Sequence, residues 1–179
     1  MPEQPIIVFD VNETLLDLDA IRPVFDRIFN DPSAMRLWFA DLITYSEALT
    51  LAGVYVRFTD NTLEISGRQL ERAGVIDVFE RRFSVDETVR RHKPAPEAYH
   101  SVAAALELDP GDICLIASHI WDTIGAGAAG WQTALILHEG NAPLDVGPQP
   151  NYIGHDLDAI ADQLIGWYAT AASASRAGH

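Results

Sequence analysis

The feature that most constrains this chain is the run Ile6-Ile7-Val8-Phe9-Asp10, an unbroken apolar stretch that ends abruptly in a carboxylate. A continuous apolar run of this length suits a central parallel strand, buried on both faces. The residue just past its end then lies in the crevice where open α/β sheets place their ligands. Asp10 has no Lys or Arg among its sequence neighbours, so its charge asks for a cation from elsewhere in the chain. The polar turn after it carries Asn12 and a hydroxyl at Thr14. Asp10 reads either as a turn or cap residue or as a nucleophile, and a nucleophile needs partners from other strand ends.

Two further apolar runs, 113–117 and 133–137, have the same strand character. Helical spacing fills the rest. Asp19 can cap a helix with Ile21, Val24, Phe25, Ile28 and Phe29 at helical spacing, stopped by Asn30-Asp31-Pro32. A second helix over 33–52 carries two apolar stripes, one with Trp38 and Tyr45, the other with Met35, Phe39 and Ile43, and Gly53 ends it. Residues 54–58 read as a short strand running into Thr59-Asp60-Asn61. Asn61 and Glu64 have the spacing of a capping box for a helix that ends at Gly74. A brief strand is expected around 83–85. Lys93 then lies on a loop flanked by Pro94 and Pro96, and Pro96 opens a helix terminated at Asp109-Pro110-Gly111. After a Pro- and Gly-rich loop over 140–150, an amphipathic helix through Leu157, Ile160, Leu164 and Tyr168 closes the chain, with a frayed tail after Ala172. Strands alternating with helices give an α/β fold, a Rossmann-like parallel sheet with helices on both faces.

Composition narrows the function. A net charge of −14 argues against nucleic acid as a partner, because phosphate binding needs clustered Lys and Arg. The N-terminus has no basic region leading into a long apolar stretch, and no window reaches the length of a membrane span. A cytoplasmic protein without a membrane partner is therefore expected. The single cysteine, Cys114, sits inside an apolar run and can form no internal disulfide.

Four polar positions recur at predicted strand ends or in adjacent loops: Asp10, Thr59, Lys93 and Asp122. Each has an ordinary alternative as turn hydroxyl, surface lysine or helix cap. In a parallel sheet the strand ends share one edge, so residues far apart in sequence can converge there. Together they supply a carboxylate nucleophile, a hydroxyl, a cation and a second carboxylate. That set suits a displacement that forms an aspartyl ester and then hydrolyses it. The G-x-G-x-x-G match over 125–130 starts well past the strand at 113–117, so it reads as small residues that let a helix pack against the sheet rather than as a nucleotide fingerprint.

The segments FDVNETL, TDN at 59–61, HKPAPEAY at 92–99 and ASHIWDTIGAGAAGW at 117–131 resemble, in order, the four motifs of the haloacid dehalogenase superfamily. The likeness is greatest to its type II L-2-haloacid dehalogenase-like branch and spans nearly the whole chain. It implies one domain over 1–179, with residues 18–53 as the two-helix remnant of a cap inserted in the core. It also implies that Asp10 displaces halide from a small 2-halo organic acid, that Lys93 keeps Asp10 ionised, that Thr14 hydrogen-bonds it, and that Asp122 helps activate the hydrolytic water. Thr59 and Asn61 would meet the substrate carboxylate, and Asn12, Ser118, His119, Phe39 and Trp121 would line the substrate site. No metal or other cofactor is implied in this branch.

The chain also departs from that pattern. Phe39 stands where the family carries an Arg that clamps the substrate carboxylate, and Arg36 lies one helical turn away. Asp60 and His119 replace the family's usual residues. The stretch between Asp10 and Thr59 is too short for a full cap, which leaves apolar helix faces that favour a homodimer. Three functions are open: a 2-haloacid dehalogenase-type hydrolase; a shortened, catalytically weak or inactive relative that serves as a binding module; and, lowest, a Mg2+-dependent phosphatase. Phosphatases of the superfamily have an acid/base Asp two residues after the nucleophile, and Asn12 cannot exchange a proton at neutral pH.

Overall fold

The computed structural model describes residues 5–57, 63–138 and 140–177, with side chains described as far as residue 169. The chain divides into two compact units. One comprises the N-terminus through Asp10 together with everything from Ala103 onward; the other runs from Val11 to Val102.

The first unit holds a four-stranded, all-parallel sheet in the order β1-β2-β3-β4. Its strands are β1 (Ile6–Phe9), β2 (Ile113–Ala117), β3 (Gln132–Ile136) and β4 (Tyr152–Gly154). Every residue of β2 is buried, whereas Ile6 at the start of β1 is 43% exposed. The expectation for the first strand is thereby corrected. The apolar run at 6–9 forms the edge strand among the described residues, and β2 is the strand buried throughout. Residues 54–57, expected as strand, have no regular secondary structure and so add no neighbour to β1.

Helix α5 (Ile120–Ala128) crosses from β2 to β3 and packs on both strands. Gly125 and Ala126 are buried, in keeping with small residues that allow a close helix–sheet approach. The turn after α5 needs Gly130, whose φ of 87° suits glycine and where a Cβ would meet Pro110. The closing helix α6 (Leu157–Ala177) packs on β3 and β4, and it continues through the tail expected to fray. Cys114, Ile116, Ala134, Ile136, Ile160 and Leu164 form one buried cluster between sheet and helix. The three-residue strand β4 has no counterpart in the sequence reading, being too short to show a period after a Pro-rich loop.

The second unit is helical. A 3-10 turn at Leu18–Ile21, capped by the Asp17 side chain, leads into α1 (Arg22–Phe29) and then α2 (Ala34–Leu51). The Asp19 carboxylate, expected as a helix cap, pairs with Arg22 instead. Of the two stripes on α2, Met35 is buried, while Trp38 and Tyr45 are exposed. Phe25, Phe29 and Trp38 make a surface aromatic group, with Phe25 and Trp38 ring centroids 5.2 Å apart. Helix α3 (Leu63–Ala73) ends at Gly74, whose φ is 72°, as its sequence predicts. Helix α4 (Pro96–Leu106) starts at Pro96 as expected. No strand forms at 83–85. There the Ser84 hydroxyl accepts from the Asp86 amide, and its carbonyl accepts from Glu87 and Thr88, so side-chain turns replace a ladder.

Candidate active site

Asp10 comes directly after β1, and its amide donates to the Ile116 carbonyl of β2 at 3.0 Å. This bond extends the β1–β2 ladder by one residue, so the ends of both strands lie side by side. Beyond β2, Ser118 is 1% exposed and His119 caps α5 with an extended backbone. His119 Nδ1 then lies 3.5 Å from Asp10 Oδ2, with each side chain about 12% exposed. The indole of Trp121 stacks on the His119 ring at 5.0 Å between centroids and 20° between planes, which fixes the imidazole plane. Asp122 is the third residue of α5 and fully buried. A carboxylate in the first turn is favoured by the helix dipole, and here its own position inside the protein removes it from bulk solvent.

The first unit thus brings Asp10, Ser118, His119, Trp121 and Asp122 to one sheet edge. Asn141, in the loop after β3, is not singled out by the sequence. Its amide donates to the Ser118 carbonyl at 2.7 Å and to the Ile136 carbonyl at 2.8 Å, while its Oδ1 accepts from the His138 amide. One side chain therefore fastens the backbone beside His119 to the end of β3. A polar loop residue after a strand is the only sequence signal for it.

The other expected residues belong to the second unit. Asn12 and Thr14 lie in a tight loop where the Leu15 and Leu16 amides both donate to the Val11 carbonyl, and the Glu13 amide donates to the Leu16 carbonyl. Glu13 holds a φ of 58°, a left-handed conformation that costs a non-glycine residue about 1–3 kcal/mol and that clusters at functional loops. Phe39 is half-buried on α2, its ring 6.3 Å from Trp38. Lys93 is partly exposed in the loop before α4 and is joined by a cis peptide to Pro94. Thr59 and Asn61 lie outside the described residues.

A buried carboxylate that no motif predicts also stands in this unit. Asp86 is 8% exposed, accepts from the Tyr55 hydroxyl, and lies 3.5 Å from Arg57 Nε. Burial pushes its carboxyl above the usual range.

The chain is similar in sequence and in fold to known proteins. A family model described as HAD-hydrolase-like matches residues 90–160. The (S)-2-haloacid dehalogenase 1 of Pseudomonas sp. (strain CBS-3) is 29% identical over 125 residues, which is 69% of this chain and 53% of that protein. Haloacetate dehalogenase H-2 of Moraxella sp. (strain B) is 34% identical over 91 residues, 51% of this chain and 40% of that one. In sequence the chain is similar to members of the haloacid dehalogenase superfamily. The solved L-2-haloacid dehalogenase from Xanthobacter autotrophicus, with chloropropionic acid covalently bound, superposes with a TM-score of 0.77 at 16% identity, covering 91% of this chain and 99% of that one. At that identity the superposition establishes the haloacid dehalogenase fold. A superfamily phosphatase from Thermococcus onnurineus shares it too, with a TM-score of 0.56 at 14% identity over 90% of this chain and 98% of that one. The chain spans about half the length of the curated relatives it matches.

Proposed function

We propose that this haloacid dehalogenase-like protein is a hydrolase that cleaves the carbon–halogen bond of a small 2-halo carboxylic acid through an ester formed at Asp10. The observation that carries the reading is the Asp10–His119 pair at the joined ends of β1 and β2. It holds a carboxylate largely out of solvent beside a ring that can carry positive charge, in a chain whose curated relatives are haloacid dehalogenases.

In the first step an Asp10 carboxylate oxygen attacks C2, the C–O bond forms, and halide leaves with the bonding pair. In the second, water adds to the Asp10 carbonyl carbon, the carbonyl C–O bond of the ester breaks, and the 2-hydroxy acid departs as the Asp10 carboxylate is restored. Asp122, buried in the first turn of α5, takes a proton from the attacking water and passes it to the departing C2 oxygen, and the second water proton leaves to solvent as Asp10 ionises. Lys93 supplies the cation that keeps Asp10 ionised, and Thr14 a hydroxyl donor. No metal takes part in this scheme. Asn12, two residues after Asp10, supports carbon over phosphorus as the centre attacked, because an amide cannot protonate a leaving group.

The test is halide release from 2-chloropropionate by wild type and Asp10→Asn. Release by the wild type and its loss in the variant supports the reading. Chelator-sensitive hydrolysis of p-nitrophenyl phosphate would favour the phosphatase instead. A folded wild type that releases no halide from a panel of halo-acids would favour the binding-module reading, which the short stretch between Asp10 and Thr59 and the Phe39 position support. In either case residues 18–53 act as a cap remnant, and the exposed faces around Ile28, Phe29 and Trp38 pair with a second copy of the chain.

A further inference from the structure

We propose, on the role given to Lys93 above, that His92 is a positioning residue that fixes the backbone from which Lys93 projects. His92 is 9% exposed, whereas Arg91 and Lys93 on either side of it are only half-buried. Contacts at both its amide and its ring hold it. Its amide donates to Thr50 Oγ1 at the end of α2 at 3.2 Å, and Nε2–H donates to the Val56 carbonyl at 2.9 Å. Its ring stacks on Tyr55 at 4.9 Å and 19°. The Tyr55 hydroxyl in turn donates to the buried Asp86 carboxylate, itself faced by Arg57. The ring therefore ties the loop that carries Lys93 to the irregular segment 54–57, and the backbone amide of the same residue ties that loop to the end of α2.

Histidine suits this place because it combines a flat ring with a donor at its far edge. Phenylalanine would keep the stack and lose the bond to Val56; glutamine would keep a donor and lose the stack. Lys93 is one peptide bond away, and the Ala95 amide returns to the His92 carbonyl, which closes the turn around the lysine. Displacing a reacting group by about 1 Å costs on the order of a hundredfold in rate, so the pinning of His92 bears directly on turnover. The 54–57 segment held by the same ring leads on toward Thr59.

Lys93 is the only lysine in the chain, so its amine can be observed alone apart from the N-terminus. Reductive methylation with carbon-13 formaldehyde, followed by NMR, reads its environment without reference to activity. In the wild type the dimethyl-lysine signal is displaced from that of free lysine. In His92→Phe it moves to the free position and the native amine is modified several-fold faster, while His92→Gln lies between. For halide release, His92→Phe lowers kcat by about tenfold to a hundredfold with KM nearly unchanged, and His92→Gln recovers part of the loss. An unchanged Lys93 signal in His92→Phe with native circular dichroism overturns the proposal. If that variant does not fold, an unchanged signal in His92→Gln does the same. A wild type that releases no halide overturns the dehalogenase reading instead, and the amine signal still decides the positioning.

Discussion

His119 Nδ1 stands 3.5 Å from Asp10 Oδ2, at the ends of two strands whose ladder continues through the Asp10 amide to Ile116. The contact joins residues more than a hundred positions apart, and it depends on β1 and β2 being direct neighbours in register, Phe9 opposite Ile116. Replacing His119 with Ala removes the ring that stands beside the Asp10 carboxylate. If His119 carries charge or a proton in the reaction, kcat falls by about 10²–10⁴, with the fold intact by circular dichroism. His119→Ala with wild-type halide release would reduce the ring to a loop residue.

Gly154 in β4 faces α6 so closely that a Cβ would sit 3.1 Å from both Ala159 Cβ and Ile160 Cδ1. Ile160 is fully buried and cannot swing aside. Gly154→Ala therefore overpacks the core and lowers stability by about 1–3 kcal/mol, read as a fall in the urea midpoint. A rise in the midpoint would mean that the sheet and α6 have room to part.

Cys114 lies in the middle of the same core, and burial pushes its thiol to about 12. The native thiol stays protonated and resists Ellman's reagent at pH 8, reacting only after denaturation. Because the unfolded thiol ionises at lower pH than the folded one, the unfolded chain binds fewer protons above that point. Stability contributed by this group is complete below the unfolded pKa and is lost as pH rises toward 12. Cys114→Ala abolishes that component of alkaline destabilisation. Rapid labelling of the native protein would contradict the burial.

Asp86 offers an acid-side test with a definite sign. Burial raises its folded pKa; Glu87 acts in the same direction, while His92 and Arg90 oppose it, and Tyr55 and Arg57 also face the group. The folded state therefore holds this proton more tightly than the unfolded state, and stability from the group falls as pH rises through the carboxylate range. Asp86→Asn does not titrate there and can still accept from Tyr55. Urea midpoints between pH 4 and pH 7 should show the wild type losing ground to Asp86→Asn as pH rises. The wild type gaining ground would show that its partners outweigh burial.

The helices and the three longer strands were legible because apolar periodicity, Gly53, Gly74 and Pro96 speak through local chemistry. Two misplaced strands trace to contacts no local pattern reports. Val56 spends its carbonyl on His92, and Ser84 turns its backbone through its own hydroxyl. The edge position of β1 among the described residues has the same origin, since an apolar run states burial but not which neighbours supply it. At the site, the placing of Asp10 after β1 and of His119 and Asp122 after β2 was readable from the strand pattern. Asn141 was not, because a loop asparagine looks the same whether it faces water or bridges two strand ends.

The proposed reaction turns on Asp10 forming a bond to carbon. Single turnover of 2-chloropropionate in heavy-oxygen water, with enzyme in excess, followed by mass spectrometry of the peptide containing Asp10, tests that directly. Hydrolysis at the ester carbonyl leaves the label in the Asp10 carboxylate and the unlabelled oxygen in the 2-hydroxy acid. Label found only in the product, with none in Asp10, would mean that water attacks the substrate itself and would contradict the nucleophile.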